Sequence, residues 1–257
     1  MPLQARFDLA PKKALEYFRG KGFLTSFGWQ DVWQQMHDES FTIAKMMELD
    51  LLADVRSAVD KAIAEGLTKA QFQDLIKPRL LEAGWWGKAE MTDPITGETK
   101  LVQLGSPRRL QTIFETNMQT SYAAGHWAQI RETKADAPFL MYDAVNDANT
   151  RPEHAAWDGL VLSADDAWWQ THFPPNDWGC RCSVIQLSAD QVTGQGKDGA
   201  DTAPPLEMRT LLDKRTGQEH QVPKGVGLGW DYAPGASRLD LLDRDLTAKA
   251  EAFKNGK

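Results

Sequence analysis

The chain has 257 residues, of which 42% are hydrophobic and 25% charged. This apolar content is enough for one large domain or two ordinary ones, and it excludes a disordered or fibrous protein. The formal net charge of -7 provides no overall cationic field to draw the molecule onto DNA or an anionic membrane. Two cysteines, Cys180 and Cys182, are too few for a secreted disulfide scaffold and favour a reducing compartment.

Neither a secretory signal nor a membrane partner is expected. The stretch through Lys21 carries five basic and two acidic residues, but no apolar run follows it. The longest stretch without formal charge, residues 116–130, is about half polar and is shorter than the roughly 20 apolar residues of a membrane-spanning helix. We therefore expect a soluble chain, in which the basic N-terminal stretch is the best place for a contact with DNA.

The first third of the chain has a helical pattern from about Lys12 to Gly84. Apolar residues recur at three- and four-residue spacing at Leu51, Leu52, Val55, Val59 and Ile63. Gly66 is a predicted helix stop and Thr68 a predicted N-cap, and Pro78 should end or kink the next helix near Lys77. Residues 92–104 then suggest a hairpin or an irregular connection, with a boundary near Gly105.

A long helix is predicted next, from an N-cap at Ser106 through about Thr133, because this run contains no proline after Pro107. One of its faces mixes apolar residues with an inward-pointing Asn117 amide, which we assign to a structural hydrogen bond. Phe139–Val145 is a predicted strand buried on both faces, because it is almost wholly apolar.

The remaining elements alternate with loops. Ser163 should cap a short helix through Trp169, and residues 183–187 form a predicted strand. Residues 190–205 are rich in Gly, Asp and Pro and are predicted to be a loop. Residues 206–213 and 218–223 form a predicted hairpin, and a charged helix is expected over residues 237–254.

These elements predict an α+β fold, in which a helical N-terminal region precedes a long helix packed on a small mixed sheet. The predicted division is a helical N-terminal arm (residues 1–105), a central domain (106–235) and a C-terminal helix (236–257). Four of the ten tryptophans lie between Trp157 and Trp178. Together with Pro174 and Pro175 they are expected to form a core beneath a loop-rich region.

The same segment contains groups that can bind metal or act as nucleophiles. The zinc-ligand candidates are His154, His172, Cys180 and Cys182, with Asp158 and Asp177 nearby. Cys-x-Cys is not the usual zinc spacing, so we favour the alternative of two buried, unreactive cysteines and no cofactor. A hydrolase would use Cys182 or Ser183 as nucleophile with His154 or His172 as base, but no nucleophile elbow accompanies them.

Charge in this segment argues against nucleic acid as its partner. Residues 147–182 contain six acidic residues and two arginines, a net charge of -4, so phosphate would be repelled. A metal-dependent nuclease or a toxin-like transferase that uses His154, Cys180 and Cys182 stays as the alternative function.

The order of motifs in this segment resembles the phage head morphogenesis family, the Mu F-like minor head proteins. The residues that carry the resemblance are Asp147, Arg151, Pro152, His154, Asp158, Gly159, Pro175, Asn176, Asp177, Trp178, Cys180, Arg181 and Cys182. The resemblance covers about residues 106–235. It implies a non-enzymatic virion component that acts in head morphogenesis inside the head near the portal vertex, with the host cytoplasm as its site of assembly. The implied partners are the portal and head proteins.

The chain departs from the family pattern in two ways. Mu-like members often have a basic residue two positions before Arg151, where this chain has Asn149. The other departure concerns metal. Relatives from Gram-positive phages carry cysteines in place of Arg151 and His154 and a histidine near Asp177, a version that looks like a zinc site. In this chain Arg151 and Asp177 stand at two of those positions. We therefore expect a buried ion pair between them to hold together what metal holds elsewhere.

Overall fold

The computed structural model describes residues 11–240. Its first half contains α1 (Lys12–Arg19), β1 (Gly22–Phe23), α2 (Met36–Glu39), β2 (Ser40–Phe41), α3 (Leu49–Glu65) and α4 (Lys69–Glu82). Gly66 ends α3 in the left-handed conformation, and the Thr68 hydroxyl caps α4 by accepting from the Gln71 amide, as the sequence predicts. Residues 1–10 and 241–257 lie outside the described residues, and with them most of the helix predicted at 237–254.

One prediction for this half is wrong. The chain between α1 and α3 is not mainly helical, because β1 and β2 pair there as a short parallel sheet. Helix α4 continues through Pro78 to Glu82, so of the two outcomes predicted for Pro78, an end or a kink, the end near Lys77 does not occur. Proline removes one helical hydrogen bond, but Ile76 and Leu80 on either side of it are both buried, and this packing outweighs the loss.

Two antiparallel hairpins have turns of the same structure. The first is formed by β3 (Lys88–Thr92) and β4 (Thr99–Gln103), and the second by β8 (Met208–Leu212) and β9 (Glu219–Pro223). Each turn begins at an aspartate, Asp93 or Asp213, whose carbonyl accepts from the amide of a glycine four residues later. Both glycines have positive φ, which the absence of a Cβ allows. The second hairpin was predicted, and the first is one of the two alternatives expected for residues 92–104, with its first strand starting earlier, at Lys88.

Helix α5 (Pro107–Thr133) is the long helix expected from the sequence, and the Ser106 hydroxyl caps it by accepting from the Arg109 amide at 3.2 Å. Its first half packs with α3 and α4 in one hydrophobic core, while Trp127 and Ile130 near its end belong to a second core. α1 lies so close to α5 that a Cβ at Gly125 would be 2.8 Å from the Ala14 nitrogen. The α5 helix therefore joins both cores, and the boundary predicted near Gly105 stays a prediction.

The central sheet has the order β6 (Val161–Ser163), β5 (Phe139–Asp143) and β7 (Ser183–Leu187). Both pairings are antiparallel rather than mixed, because each connection reverses the chain beside β5. Only alternate residues of β5, Leu140 and Tyr142, are fully buried, so this strand is not buried on both faces as predicted. The α+β class itself is confirmed.

Short helices fill the connections of this sheet: α6 (Pro152–Ala156), α7 (Trp169–His172) and α8 (Ala189–Gly194). Ser163 ends β6 instead of capping a helix, because the turn that follows it runs on to Trp169 before helix forms. Part of the loop predicted at 190–205 is helical in α8, where Ser188 supplies an N-cap. Within residues 11–240 no helix is long and apolar enough to cross a membrane.

Candidate functional site

His154 lies at the centre of the segment that carries the sequence motifs. Pro152 at the first position of α6 starts this short helix, which holds the His154 ring at 1% exposure. Its Nε2 is 2.8 Å from the Gly225 carbonyl oxygen, so Nε2 carries a proton and donates. The other ring nitrogen, Nδ1, faces the two cysteines, 3.6 Å from Cys182 Sγ and 3.8 Å from Cys180 Sγ.

The two thiols differ in pKa. A hydrogen bond from the Cys180 thiol, and then contacts with His154 and Tyr142, lower the pKa of Cys182. The same contact with Cys182, together with burial, raises the pKa of Cys180. In the cluster of His154, Cys180 and Cys182, here called the thiol–imidazole cluster, the half-buried Cys182 is therefore the more acidic thiol.

The thiol–imidazole cluster could supply three of the four ligands of a zinc ion, one from each of its residues. Its three ligand atoms lie within 4.8 Å of one another, and the two S to N distances are near the roughly 3.5 Å edge of a tetrahedral zinc site. The hydrogen bond to Gly225 is the support that a ligand histidine needs. Structural zinc, however, has four protein ligands. The small cavity on the open side of the cluster is lined by Arg151 and Arg181, with no additional histidine, cysteine or carboxylate among the described residues.

His172 does not join this cluster. Its side chain is buried, at 4% exposure. The ring stacks on Trp168 with 4.3 Å between centroids and meets the Trp157 ring edge to face with 5.1 Å between centroids. The Trp157 ring in turn stacks on His154. His172 is thus a core histidine, and the sequence was wrong to group it with the three ligand candidates. Burial lowers the pKa of His172 to about 4, so it is neutral at pH 7.

Two ion pairs surround the thiol–imidazole cluster. Arg151 Nη2 lies 3.1 Å from Asp177 Oδ2 and 3.0 Å from the Trp178 carbonyl oxygen. Arg181 pairs with Asp147 at 2.7 Å, which lowers the pKa of Asp147 to about 2. The Arg151–Asp177 contact was predicted, but its side chains are 35% and 26% exposed, so the pair is half-buried and not buried.

Other motif residues fix the backbone around this site. Asp158 accepts from the Ala144 amide at 2.9 Å and from Asn146 at 2.7 Å. Gly159 has a φ of 73°, a value that a side chain would disfavour. Asn176 follows the cis Pro174-Pro175 bond, is fully buried, and accepts from the Tyr142 hydroxyl at 3.0 Å.

Three of the four clustered tryptophans form a core, as the sequence predicts. Trp157, Trp168 and Trp169 are all at most 8% exposed. Trp178 is the exception at 39% exposure, because it lies on the turn between Asp177 and Gly179. Its ring packs edge to face against two other tryptophans. The distance between ring centroids is 6.1 Å to Trp29 and 5.1 Å to Trp230.

Residues outside the motifs complete the site, and sequence reasoning missed them. Gly225 lies in a glycine-rich stretch after the second hairpin, and its carbonyl orients His154. Tyr142 lies in a strand that was identified from its apolar character, yet its hydroxyl bonds Asn176. No sequence signal reveals a carbonyl partner, whereas the lone hydroxyl in an apolar strand could have marked Tyr142.

Residues 53–185 match the family model described as Phage Mu protein F like protein. This stretch includes most of α3, all of α5, the thiol–imidazole cluster, and the central sheet up to the middle of β7. The chain belongs to the Phage Mu protein F like family. It is 39% identical over 242 residues to "Putative capsid assembly protein F" of Escherichia phage Mu, covering 89% of this chain and 55% of that protein.

A second relative gives the same result. The chain is 39% identical over 243 residues to the Mu-like prophage FluMu F protein of Haemophilus influenzae, covering 90% of this chain and 57% of the relative. The chain thus spans little more than half the length of these two curated relatives. No solved structure matches it.

Proposed function

We propose that the chain is a minor head protein of a Mu-like phage or prophage and acts in head morphogenesis at or near the portal vertex. The observation that carries the proposal is the 39% identity, over 89% of this chain, to a protein of Escherichia phage Mu whose name describes capsid assembly. The proposed partners are the portal and head proteins. The proposed location is inside the head of the virion, after assembly in the host cytoplasm.

In this proposal the motif segment is architectural. The thiol–imidazole cluster and its two ion pairs join α6, the Cys180–Cys182 turn and the loop at Gly225, which are up to 71 residues apart in sequence. Such cross-links suit a protein that must present one fixed surface to partners. The proposal assigns the site no cofactor, because the Arg151–Asp177 pair stands where a fourth ligand would complete a zinc site.

DNA packaging, retention or ejection is the finer part of the proposal, and the described residues favour protein partners over DNA. In the basic N-terminal stretch Lys13 pairs with Glu132, Arg19 pairs with Asp60, and Lys21 is buried. Lys12 is exposed. A DNA contact there would weaken steeply as salt rises and would be lost on truncation of residues 1–12.

The head role is tested by deleting the coding sequence from a phage or prophage that carries this chain and supplying it from a plasmid. We expect the deletion to reduce the yield of filled heads, as counted by electron microscopy, and the intact chain to restore it. Normal numbers of filled, infectious heads without the chain would contradict the proposal.

A thiol enzyme is the second candidate, favoured by the 3.6 Å contact between Cys182 Sγ and His154 Nδ1. The space on the Arg151 side of this pair is about 10 Å³, which holds one water molecule at most. A wider groove of about 420 Å³ borders Cys182 on the Tyr122 side. Ser183 also lines this groove, but its hydroxyl donates to Asp143 and has no contact with His154.

The two candidates are separated by the variants His154→Ala and Cys182→Ala, with Ser183→Ala as the matched control. If the site is architectural, the first two lower the free energy of unfolding and head yield falls in proportion. A variant that keeps its stability but loses nuclease or transferase turnover would instead establish the enzyme.

A further inference from the structure

A cavity of about 170 Å³ lies away from the thiol–imidazole cluster, between the N-terminal segment, the start of α5 and the stretch at residues 228–232. Helix α5 contributes a polar wall of Thr112, Thr116, Asn117 and Thr120. The opposite wall comes from residues far apart in sequence, Trp29 and Trp230 among them. The cavity therefore exists only because the N-terminal segment packs against the second half of the chain.

Two cations line this cavity, and no carboxylate contacts either of them directly. Lys21 is 6% exposed, and its Nζ makes no hydrogen bond or ion pair with any residue of the described part. It lies over the Tyr17 ring at 4.6 Å from the centroid, and Asp38 attracts its charge only at longer range. Arg109 donates to the carbonyls of Ala44, Gln103 and Leu104, but to no carboxylate. No aspartate or glutamate is among the residues that line the cavity.

Burial without a counter-ion is unfavourable for both groups. Desolvation lowers the pKa of Lys21 to about 8 and that of Arg109 to about 10. The nearest acid to Lys21, Asp38, already accepts from the Tyr17 hydroxyl, the Gly235 amide and the Ser237 hydroxyl. A charge buried in this way is costly unless it is paired, so an anion in the cavity would supply what Lys21 lacks.

The rest of the wall is apolar and aromatic. Trp178 contacts Trp29 on one side and Trp230 on the other, both edge to face. Ile43 and Ile113 line the same cavity. The 39% exposure of Trp178 puts a large apolar ring at the edge of the cavity. Pockets of this composition, apolar with a few convergent polar groups, are typical of sites that bind a ligand.

We propose that this cavity binds a carboxylate carried on an aromatic or aliphatic body. The carboxylate pairs with Lys21 and accepts from the Thr116 hydroxyl of α5, and the body packs against Trp29, Trp178 and Trp230. The source is either a small organic acid or the carboxylate of a partner peptide, and the site does not depend on the head role proposed above.

The test uses isothermal titration calorimetry of the full chain with indole-3-acetate and, as the uncharged match, indole-3-acetamide. We expect saturable binding of the acid and at least tenfold weaker binding of the amide, because a hydrogen bond to a charged group contributes about 1.5–3 kcal/mol. A tripeptide that ends in tryptophan, with a free or an amidated terminus, identifies the source. Tighter binding of the free peptide than of indole-3-acetate assigns the site to a peptide, and weaker binding assigns it to a small acid.

Lys21→Met should weaken binding of the acid at least tenfold, while the control Lys45→Met, a half-buried lysine outside the cavity lining, should leave it unchanged. Trp178→Ala provides a second variant at a half-exposed position in case Lys21→Met fails to fold, and it should also weaken binding. The proposal is overturned if neither the acid nor the peptide binds, if the amide binds as tightly as the acid, or if a folded Lys21→Met or Trp178→Ala binds as tightly as the unmodified chain.

Discussion

Arg215, in the turn of the second hairpin, forms a two-pronged ion pair with Asp93, in the turn of the first. Its Nε lies 2.6 Å from Asp93 Oδ2 and its Nη2 lies 2.9 Å from Asp93 Oδ1. The two side chains are 12% and 11% exposed. Arg215 also pairs with Asp31 of the N-terminal segment. One side chain thus joins three regions of the chain, and Arg215 is more than 100 residues away from both of its partners.

Replacing Arg215 by methionine should destabilise the fold by about 2 kcal/mol, because two carboxylates would be left without their partner in a mostly buried site. Chemical denaturation at pH 7 measures the free energy of unfolding. The control is Lys224→Met, which breaks an exposed pair with Glu207 and should cost less than about 0.5 kcal/mol. Equal effects of the two variants would contradict the role given to Arg215.

The same pair predicts a dependence on pH. The Arg215 guanidinium, followed by backbone hydrogen bonds, holds the pKa of Asp93 well below its usual range. Its contribution to stability is therefore complete above the unfolded pKa of about 4 and is lost as pH falls below that value. We expect the stability difference between the unmodified chain and Asp93→Asn to shrink between pH 5 and pH 2. A constant difference over this range would show that the charge of Asp93 is not what matters.

The Arg151–Asp177 pair should contribute only modestly, because its side chains are about one-third exposed. A double-mutant cycle of Arg151→Met and Asp177→Asn should give a coupling free energy of about 0.5–1 kcal/mol. The comparison pair is Arg181 and Asp147, which has similar exposure. A coupling free energy near zero would show that the Arg151–Asp177 pair does not stabilise this site.

Metal analysis tests whether the ion pair or a zinc ion holds the motif segment together. Elemental analysis of the chain, purified without chelator, should find well below one equivalent of zinc, because the thiol–imidazole cluster supplies three ligands and the Arg151–Asp177 pair supplies no fourth. The matched variant is Cys182→Ser, which removes one ligand. One equivalent of zinc in the unmodified chain, lost in Cys182→Ser, would show that a metal ion and not the ion pair holds the segment.

The fold was predictable where local signals decide it. The N-cap at Ser106, the stop at Gly66 and the strand at Ser183–Leu187 all lie where the sequence indicates, since caps and turn residues act over a few positions. The sequence left open whether Pro78 ends or kinks α4, and the helix continues there because burial on both sides of the proline outweighs a local preference. The shared turn pattern of the two hairpins, Asp-x-x-Thr-Gly, is visible in the sequence at Asp93 and Asp213, yet their closeness through Arg215 is not.

The sequence predicts which side chains form the thiol–imidazole cluster, but not the residues that hold them in place. The motif brings His154 together with the cysteines, whereas the separation of His172 and the exposure of Trp178 depend on packing between distant segments. The two cations of the cavity, Lys21 and Arg109, belong to no motif. Each looks like an ordinary surface charge in the sequence, and only the tertiary structure shows that no carboxylate contacts them directly.

The most direct test of the central claim is an electron cryomicroscopy reconstruction, without imposed symmetry, of heads from a phage or prophage that carries this chain, with an affinity tag on the chain. We predict density for the tagged chain inside the head, in a few copies and in contact with the portal vertex. Heads that contain no tagged chain, or that carry it uniformly over the shell away from the portal, would contradict this account.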